Sequence, residues 1–110
     1  MGAERQKILF VCSANRDRSP RAEKIYKDDP GFEVKSAGTE GYARTRVNAR
    51  LVAWADIIFV MEECHRAAML EMFPGPETAE KINVLGIPDI FHFMDPALVS
   101  LLKEKVEGYL

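Results

Sequence analysis

A cysteine and an arginine lie close together near the start of the chain, in the segment Cys12-Ser-Ala-Asn-Arg-Asp-Arg18-Ser19-Pro20. The apolar run Lys7–Cys12 before it predicts a strand buried on both faces. Ser19-Pro20 predicts an N-cap followed by the first turn of a helix that runs to about Asp28. Backbone amides of a loop between a strand and a helix, together with the helix dipole, can bind an anion. The sequence therefore predicts a phosphate-sized site above Cys12.

The side chains of this segment are suited to nucleophilic chemistry. A positive field from the loop and the helix favours the thiolate, which is the reactive form of Cys12. The planar guanidinium of Arg18 can bind two phosphoryl oxygens at once, and Ser19 can donate to the sulfur when it leaves. A lone cysteine at the end of a buried strand is usually core filler. The spacing to Arg18 and Ser19-Pro20 favours a nucleophile instead.

Strands and helices alternate along the chain. Strands are predicted at 7–12, 32–37, 57–61 and 82–85, and helices at 19–28, 45–55 with Thr45 as its cap, 62–73 and 96–109. This alternation predicts an α/β fold of three layers, with a four-stranded parallel sheet of order 2-1-3-4 and helices on both faces. Ligands of such sheets bind at the carboxyl ends of the strands where the order reverses, which is beside strand 1.

Composition narrows the class of protein. The chain has 110 residues, 47% of them hydrophobic and 29% charged, which is typical of one folded domain over residues 1–110. Its longest apolar runs are too short for a membrane span or a signal peptide, so we expect a cytoplasmic protein without membrane contacts. Residues 1–55 carry a net charge of +4 and residues 56–110 a net charge of −6. With a pI near 5.7, this pattern favours a small anionic ligand over nucleic acid.

The two cysteines predict neither a disulfide framework nor a metal site. Two cysteines are too few for a framework, and no third ligand is evident near Cys64-His65. Cys64 falls on an apolar stripe of its predicted helix, so we expect it to be core filler. Trp54 is expected in the core as well, and His65 is expected to be half-exposed. Nothing in the sequence predicts an oligomeric state.

The segment after strand 1 resembles the C-x5-R-S-P signature of low-molecular-weight protein tyrosine phosphatases. Other features resemble that family in the same order along the chain, namely Ser36-Ala-Gly-Thr39, Trp54-Ala-Asp56, Met61, His65 and Ile87-Pro88-Asp89. With its contracted segment between Thr39 and Arg50, the chain resembles a compact predicted-phosphatase subgroup. The resemblance implies a protein tyrosine phosphatase that needs no cofactor or metal, acts through a phosphocysteine on Cys12, and takes a phosphotyrosine protein or a small aryl phosphate as substrate.

The resemblance also implies roles for individual residues. Arg18 and the loop amides would hold phosphate, in a loop made of Ser13, Ala14, Asn15, Arg16, Asp17 and Arg18. Asn15 would shape this loop together with Ser36. Two residues depart from the family pattern, because Ala14 replaces a usual glycine and Asp17 replaces a cysteine found in many members. We expect the Asp17 side chain to point outward, since a carboxylate facing the phosphate would repel it.

Two aspartates compete for the role of general acid that the resemblance implies. Asp95 precedes Pro96 and an apolar-periodic helix, so helix capping accounts for it fully. Asp89 follows strand 4 at the edge where the Cys12 loop opens, and it stands in the Ile-Pro-Asp context of the family. We predict Asp89 as the acid, with Asp95 as the alternative, and Phe91, Phe93 or Tyr42 as walls for an aromatic ring.

Two other functions are compatible with parts of the sequence. The start of the loop also resembles that of the phosphocysteine carriers among sugar phosphotransferase IIB proteins, which lack the loop arginine. A non-catalytic phosphoryl-binding module is the other alternative, because Ala14 and Asp17 depart from the family pattern. Among phosphatase substrates, phosphoarginine is disfavoured, since Arg16 stands where phosphoarginine-directed relatives carry a small hydroxyl residue.

Overall fold

A parallel sheet of four strands forms the centre of the computed structural model, which describes residues 5–110. The strands are β1 (Gln6–Cys12), β2 (Phe32–Gly38), β3 (Ile57–Val60) and β4 (Ile82–Val84). They lie in the order β2-β1-β3-β4, and each neighbouring pair is parallel. The predicted order 2-1-3-4 is confirmed. β1 lies between β2 and β3, where the strand order reverses.

Helices cover both faces of the sheet, as predicted. They are α1 (Arg18–Tyr26), α2 (Ala49–Trp54), α3 (Glu63–Met72), α4 (Pro76–Lys81) and α5 (Pro96–Glu107). Side chains alternate along β1, so that Ile8, Phe10 and Cys12 pack with α1 and α5 on one face. Leu9 and Val11 pack with α2 and α3 on the other face. Within residues 5–110, no helix is long and apolar enough to cross a membrane.

Helix α1 begins two residues earlier than the sequence predicts. It starts at Arg18 with Asp17 at the N-cap, so Ser19 lies in the first turn and is fully buried. The predicted N-cap at Ser19 is wrong because its hydroxyl contacts the Cys12 sulfur rather than a helix amide. Pro20 is tolerated here, since amides of the first turn have no partner within the helix.

The segment before α2 follows the edge of β2 instead of starting a helix at Thr45. The Gly38 amide donates to the Thr45 carbonyl, and the Val47 amide donates to the Gly38 carbonyl. These bonds hold the segment in an extended path, so the predicted cap at Thr45 is wrong. Asn48 caps α2, and its side chain accepts a hydrogen bond from the Leu51 amide at 2.9 Å.

Of the two side chains that were expected in the core, one packs against it and the other is exposed. Trp54 is half-buried and packs against the core on the Leu9 and Val11 face of the sheet, while the Lys35 ammonium lies 4.6 Å from the centre of its ring. Cys64 is exposed, because the buried face of α3 runs through His65 and Met69, one residue further round the helix than the predicted stripe. The short helix α4 was not predicted; it follows Gly75, whose φ of 123° turns the chain sharply, and has proline in its first turn.

Candidate active site

A cleft of about 230 Å³ opens at the carboxyl end of β1. Cys12 lies at its base and is buried. The residues that line the cleft are Cys12, Ser13, Ala14, Arg16, Asp17, Arg18, Tyr42 and Asp89. All but Tyr42 were singled out in the sequence as catalytic or loop residues. The structure thus brings the cysteine, the arginine and one of the two candidate acids into one cavity.

Two groups lie within hydrogen-bond distance of the Cys12 sulfur and can donate to it. The Ser19 hydroxyl lies 2.9 Å from Sγ, and the backbone amide of Asn15 lies 3.3 Å from it. Both are buried, so water does not compete with them. Donors in such an arrangement stabilise a thiolate over a thiol.

The direction of the Ser19 hydroxyl follows from a chain of hydrogen bonds behind the loop. The Asn15 side-chain amide donates to Ser19 Oγ at 2.9 Å and to Ser36 Oγ at 3.0 Å. Ser36 in turn donates to a carboxylate oxygen of Glu23. Since Ser19 Oγ already accepts from Asn15, its single proton has two acceptors within reach, the Cys12 sulfur at 2.9 Å and the Ala37 carbonyl oxygen at 3.3 Å, of which the sulfur is the nearer. Asn15 and Ser36, predicted to support the loop, lie in this chain, and Glu23 extends it.

The backbone of the loop depends on the left-handed conformation of Asn15 and on the absence of a side chain at Gly38. Asn15 has a φ of 56°, in the left-handed region that asparagine tolerates better than most residues. Gly38, at the end of β2, lies directly against the loop. A Cβ atom there would collide with the Ser13 carbonyl oxygen and with the Ala43 side chain. The glycine of the Ser-Ala-Gly-Thr segment therefore permits close approach of the loop to β2.

The Arg18 guanidinium is fixed in place from one side. Its side chain is only 2% exposed, and Nη1 donates to Glu62 Oε1 at 2.6 Å and to the Ile87 carbonyl at 2.8 Å. No other hydrogen bond to this side chain comes from residues 5–110 of the structure. The edge formed by Nε and Nη2 thus remains available to bind two oxygens of a phosphoryl group.

His65 is buried beneath the loop, so the expectation of a half-exposed side chain is wrong. Its Nδ1 accepts from the Glu62 amide at 3.0 Å, and its Nε2 lies 2.8 Å from Ser13 Oγ. Because Nδ1 accepts, Nε2 carries the proton and donates to Ser13. Burial and the nearby Arg18 charge lower the pKa of His65 to about 4, although Glu62 and Asp89 act in the opposite direction. The imidazole is thus neutral near pH 7. Because Ser13 Oγ accepts a hydrogen bond from His65, its own hydroxyl proton is available for another acceptor.

The two candidate acids have different surroundings. Asp89 lines the cleft, and its Oδ1 lies 3.8 Å from Arg18 Nε while 68% of its side chain is exposed. Asp95 caps α5, where its carboxylate accepts from the Ala97 amide at 2.9 Å. The predicted capping by Asp95 is confirmed, and Asp95 is not among the residues that line the cleft.

The side chains around the mouth of the cleft differ from expectation. Asp17 does not simply point outward; its Oδ1 accepts from the Phe93 amide at 3.0 Å. The Phe93 ring lies against α1, with the Arg21 guanidinium 5.2 Å from its centre, and Phe91 packs against the core. Of the three aromatic residues proposed as walls, only Tyr42 lines the cleft.

One cluster among residues 5–110 has donor atoms spaced closely enough for a metal ion. The candidate ligand atoms of Glu62, Cys64 and His65 lie within 4.8 Å of one another. Both ring nitrogens of His65 already form hydrogen bonds, and the Glu62 carboxylate pairs with Arg18. The cluster therefore serves the loop and is unsuited to a metal.

Glu62 and His65 are the site residues that the sequence analysis underrated. Glu62 was not singled out, although it directly precedes α3 and forms a capping box with His65. Its Glu-x-x-His sequence differs from the usual Ser/Thr-x-x-Glu/Gln pattern of a capping box, so this role was not evident from the sequence. Its second use, as the partner of an arginine 44 residues away, has no local signal.

Comparison with known proteins agrees with this geometry. No family profile matches the chain. The low-molecular-weight protein-tyrosine-phosphatase Wzb of Salmonella typhi is 31% identical over 104 residues, covering 73% of this chain and 68% of that protein. A protein-arginine-phosphatase of Geobacillus stearothermophilus is 32% identical over 93 residues, covering 62% of each chain.

A solved structure shares the fold over almost the whole chain. Vibrio vulnificus Wzb in complex with benzylphosphonate superposes with a TM-score of 0.76 at 24% identity, covering 96% of this chain and 97% of that one. The structural similarity shows the fold, and the sequence identity with the Salmonella protein shows the family. The chain belongs to the low-molecular-weight protein tyrosine phosphatase family and is a cysteine-based phosphatase, with Cys12 in the position of the family's phosphate-binding loop.

Proposed function

We propose that this chain hydrolyses phosphotyrosine in proteins, with Cys12 as nucleophile, Arg18 as the phosphate-binding cation and Asp89 as the general acid. The observation that carries the proposal is that all three side chains line one cleft, whereas Asp95 caps a helix. Asp89 is the candidate with access both to solvent and to the Arg18 edge that would bind phosphate. Asp95 is therefore assigned a structural role in this proposal.

In the first step the Cys12 thiolate attacks phosphorus in line with the phenolic oxygen. An S–P bond forms, the P–O bond to the tyrosyl oxygen breaks, and protonated Asp89 gives its proton to that oxygen. The Nε–Nη2 edge of Arg18 and the loop amides stabilise the charge on the equatorial oxygens. Glu62 is a positioning residue here, because it holds Nη1 and so keeps the other edge directed at the substrate.

In the second step water hydrolyses the phosphocysteine. Asp89, now a carboxylate, takes a proton from the attacking water, and the S–P bond breaks to release inorganic phosphate and the Cys12 thiolate. The Ser19 hydroxyl, 2.9 Å from the sulfur, donates to the leaving thiolate. The cycle balances without an oxidant, a metal or another cofactor.

The choice of tyrosine among phosphorylated side chains is supported by the mouth of the cleft. Tyr42 is 67% exposed and offers a flat apolar face beside the cleft. Arg16 is exposed and lines the same mouth, where its charge would repel the guanidinium of phosphoarginine. An aryl phosphate would contact Tyr42 without meeting this repulsion.

The phosphocysteine carrier and the non-catalytic binding module are weaker explanations of the same site. A carrier must protect its phosphocysteine from water, whereas here an exposed carboxylate lines the cleft that would hold the phosphoryl group. A binding module has no need for a hydrogen-bond donor directed at a buried thiol. The proposal further takes residues 1–110 as one phosphatase domain acting in the cytoplasm.

Replacement of the nucleophile tests the reaction. Cys12→Ser should abolish turnover of phenyl phosphate, because a serine hydroxyl stays protonated near pH 7 and attacks poorly. Vanadate or phosphate should still bind, which titration calorimetry would measure. Cys64→Ser is the matched control and should retain parental turnover. Substantial activity of Cys12→Ser would refute the mechanism, and stoichiometric phosphate retained on Cys12 without turnover would point to a carrier.

Competing peptides test the substrate class. We expect a higher kcat/KM for a phosphotyrosine peptide than for the matched phosphoarginine peptide. Tyr42→Ala should lower the first value, and Arg16→Thr should raise the second. A parental enzyme with the higher kcat/KM on phosphoarginine would overturn the assignment to tyrosine while leaving the cysteine mechanism in place.

A further inference from the structure

Asp17 occupies a helix N-cap position without acting as a cap. Aspartate at an N-cap usually accepts from an amide of the first helical turn. Here α1 has no side-chain capping bond. The Asp17 carboxylate instead accepts from the Phe93 amide, 76 residues away, at 3.0 Å. Its interaction partner is thus the segment that follows β4.

That segment carries Asp89 and is held at both ends by consecutive residues of the loop. At its start, the Ile87 carbonyl accepts from Arg18 Nη1 at 2.8 Å, and the Ile87 amide donates to the Met61 carbonyl. At its end, the Phe93 amide donates to Asp17. Between these anchors Asp89 is exposed, so its position depends on where the backbone on either side is held.

We infer that Asp17 is a positioning residue for the general acid, because its hydrogen bond to Phe93 fixes the far end of the segment that holds Asp89 over the cleft. The inference rests on the proposed role of Asp89 and adds a second residue to it. Asp17 is also one of the residues that line the cleft, and a negative charge on this loop opposes anion binding. The hydrogen bond and the charge therefore have opposite consequences for catalysis.

Two substitutions separate the hydrogen bond from the charge. Asp17→Asn removes the charge but keeps an oxygen that accepts from the Phe93 amide, whereas Asp17→Ala removes both. Neither variant loses a capping bond, since the parent has none. Asp28→Ala is the matched control for net charge, because Asp28 is exposed just beyond the other end of α1.

The readout is kcat/KM for phenyl phosphate, a poor leaving group, relative to dinitrophenyl phosphate, a good one. Only the poor leaving group needs a proton, so this ratio reports general-acid catalysis. Asp17→Ala should lower the ratio by about tenfold, which is part of the roughly 10² to 10⁴ that a well-placed general acid contributes. Asp17→Asn and Asp28→Ala should keep the parental ratio. Both Asp17 variants should bind phosphate more tightly than the parent.

Amide hydrogen exchange provides a readout that does not require activity. The Phe93 amide should lose protection in Asp17→Ala and keep it in Asp17→Asn. An unchanged kinetic ratio in Asp17→Ala, or an equal fall in both variants, would overturn the inference even if Asp89→Asn shows the expected loss. If the parent hydrolyses neither ester, the proposed function fails, and unaltered Phe93 exchange in Asp17→Ala would then overturn the anchoring contact as well.

Discussion

Acid should destabilise this protein through His65, one of only two histidines in the chain. The side chain is 1% exposed, and both ring nitrogens form hydrogen bonds that suit the neutral imidazole. Burial and the Arg18 charge lower its pKa in the fold to about 4. In the unfolded chain a histidine has a pKa of about 6.5. Between these two values the unfolded state binds more protons, so the free energy of unfolding must fall as the pH falls.

The size of the effect follows from the two pKa values. Each pKa unit is worth about 1.4 kcal/mol, so His65 should remove about 2 kcal/mol of stability between pH 7.5 and pH 5. The full loss, about 3 kcal/mol, would be reached below pH 4. Arg18, Glu62 and Asp89 are the charged groups that face the imidazole, and of these only Arg18 favours its neutral form.

Urea denaturation at pH 7.5, 6.5, 5.5 and 5.0 would measure this loss in the parent and in His65→Gln. The variant has no titrating group at position 65. The carboxylates are the same in both proteins, so their contributions cancel when the two free energies of unfolding are subtracted. We expect the parent to lose about 2 kcal/mol more than the variant by pH 5. His92→Gln, at an exposed position, is the control and should follow the parent.

Nuclear magnetic resonance supplies a test that does not depend on the folding of a variant. The parent contains two imidazole signals, and His92→Gln assigns them. A His65 signal that titrates above pH 6, or parallel loss of stability in the parent and His65→Gln, would refute the reasoning. Either result would mean that the charged imidazole is tolerated beneath the loop.

Three further predictions concern the loop and its acid. Asp89→Asn should lower kcat/KM for phenyl phosphate by about 10² to 10⁴ and kcat/KM for dinitrophenyl phosphate far less. Asp95→Asn should change both values little, because asparagine also caps helices. The reverse pattern would assign the acid to Asp95. Gly38→Ala should cost about 1 to 3 kcal/mol in urea denaturation and weaken phosphate binding, since the new methyl group meets backbone atoms of the loop; wild-type affinity would show that the loop can shift freely. Peroxide should drive Cys12 to sulfinic and sulfonic acids, because the other cysteine of the chain, Cys64, is exposed on α3 and the loop itself contains no second thiol. A reversible disulfide to Cys64 found by mass spectrometry would contradict this.

The sequence alone was sufficient to predict the sheet and the loop, because both depend on local signals. The uninterrupted apolar run of β1 and the regular succession of strands and helices predict a parallel sheet, and right-handed crossovers leave few possible strand orders. The segment Cys12–Pro20 predicts a phosphate loop because strand, loop, arginine and helix are contiguous. The capping role of Asp95 is likewise local, since it needs only the proline and the helix that follow.

Only the tertiary structure decided what surrounds that loop. Arg18 meets Glu62, Ser13 meets His65 and Asp17 meets Phe93 across separations of 44, 52 and 76 residues. No local pattern encodes such contacts, because they arise where the carboxyl ends of different strands converge.

The side of α3 that is buried was likewise not predictable from the sequence, and the error there was one residue. Hydrophobicity favours burial of Cys64, yet the helix buries His65 and Met69 and exposes the cysteine. A polar imidazole can be buried at little cost once both of its nitrogens are paired. Those partners are the Glu62 amide beside it and the Ser13 hydroxyl of the loop, and only the folded chain brings the second within reach.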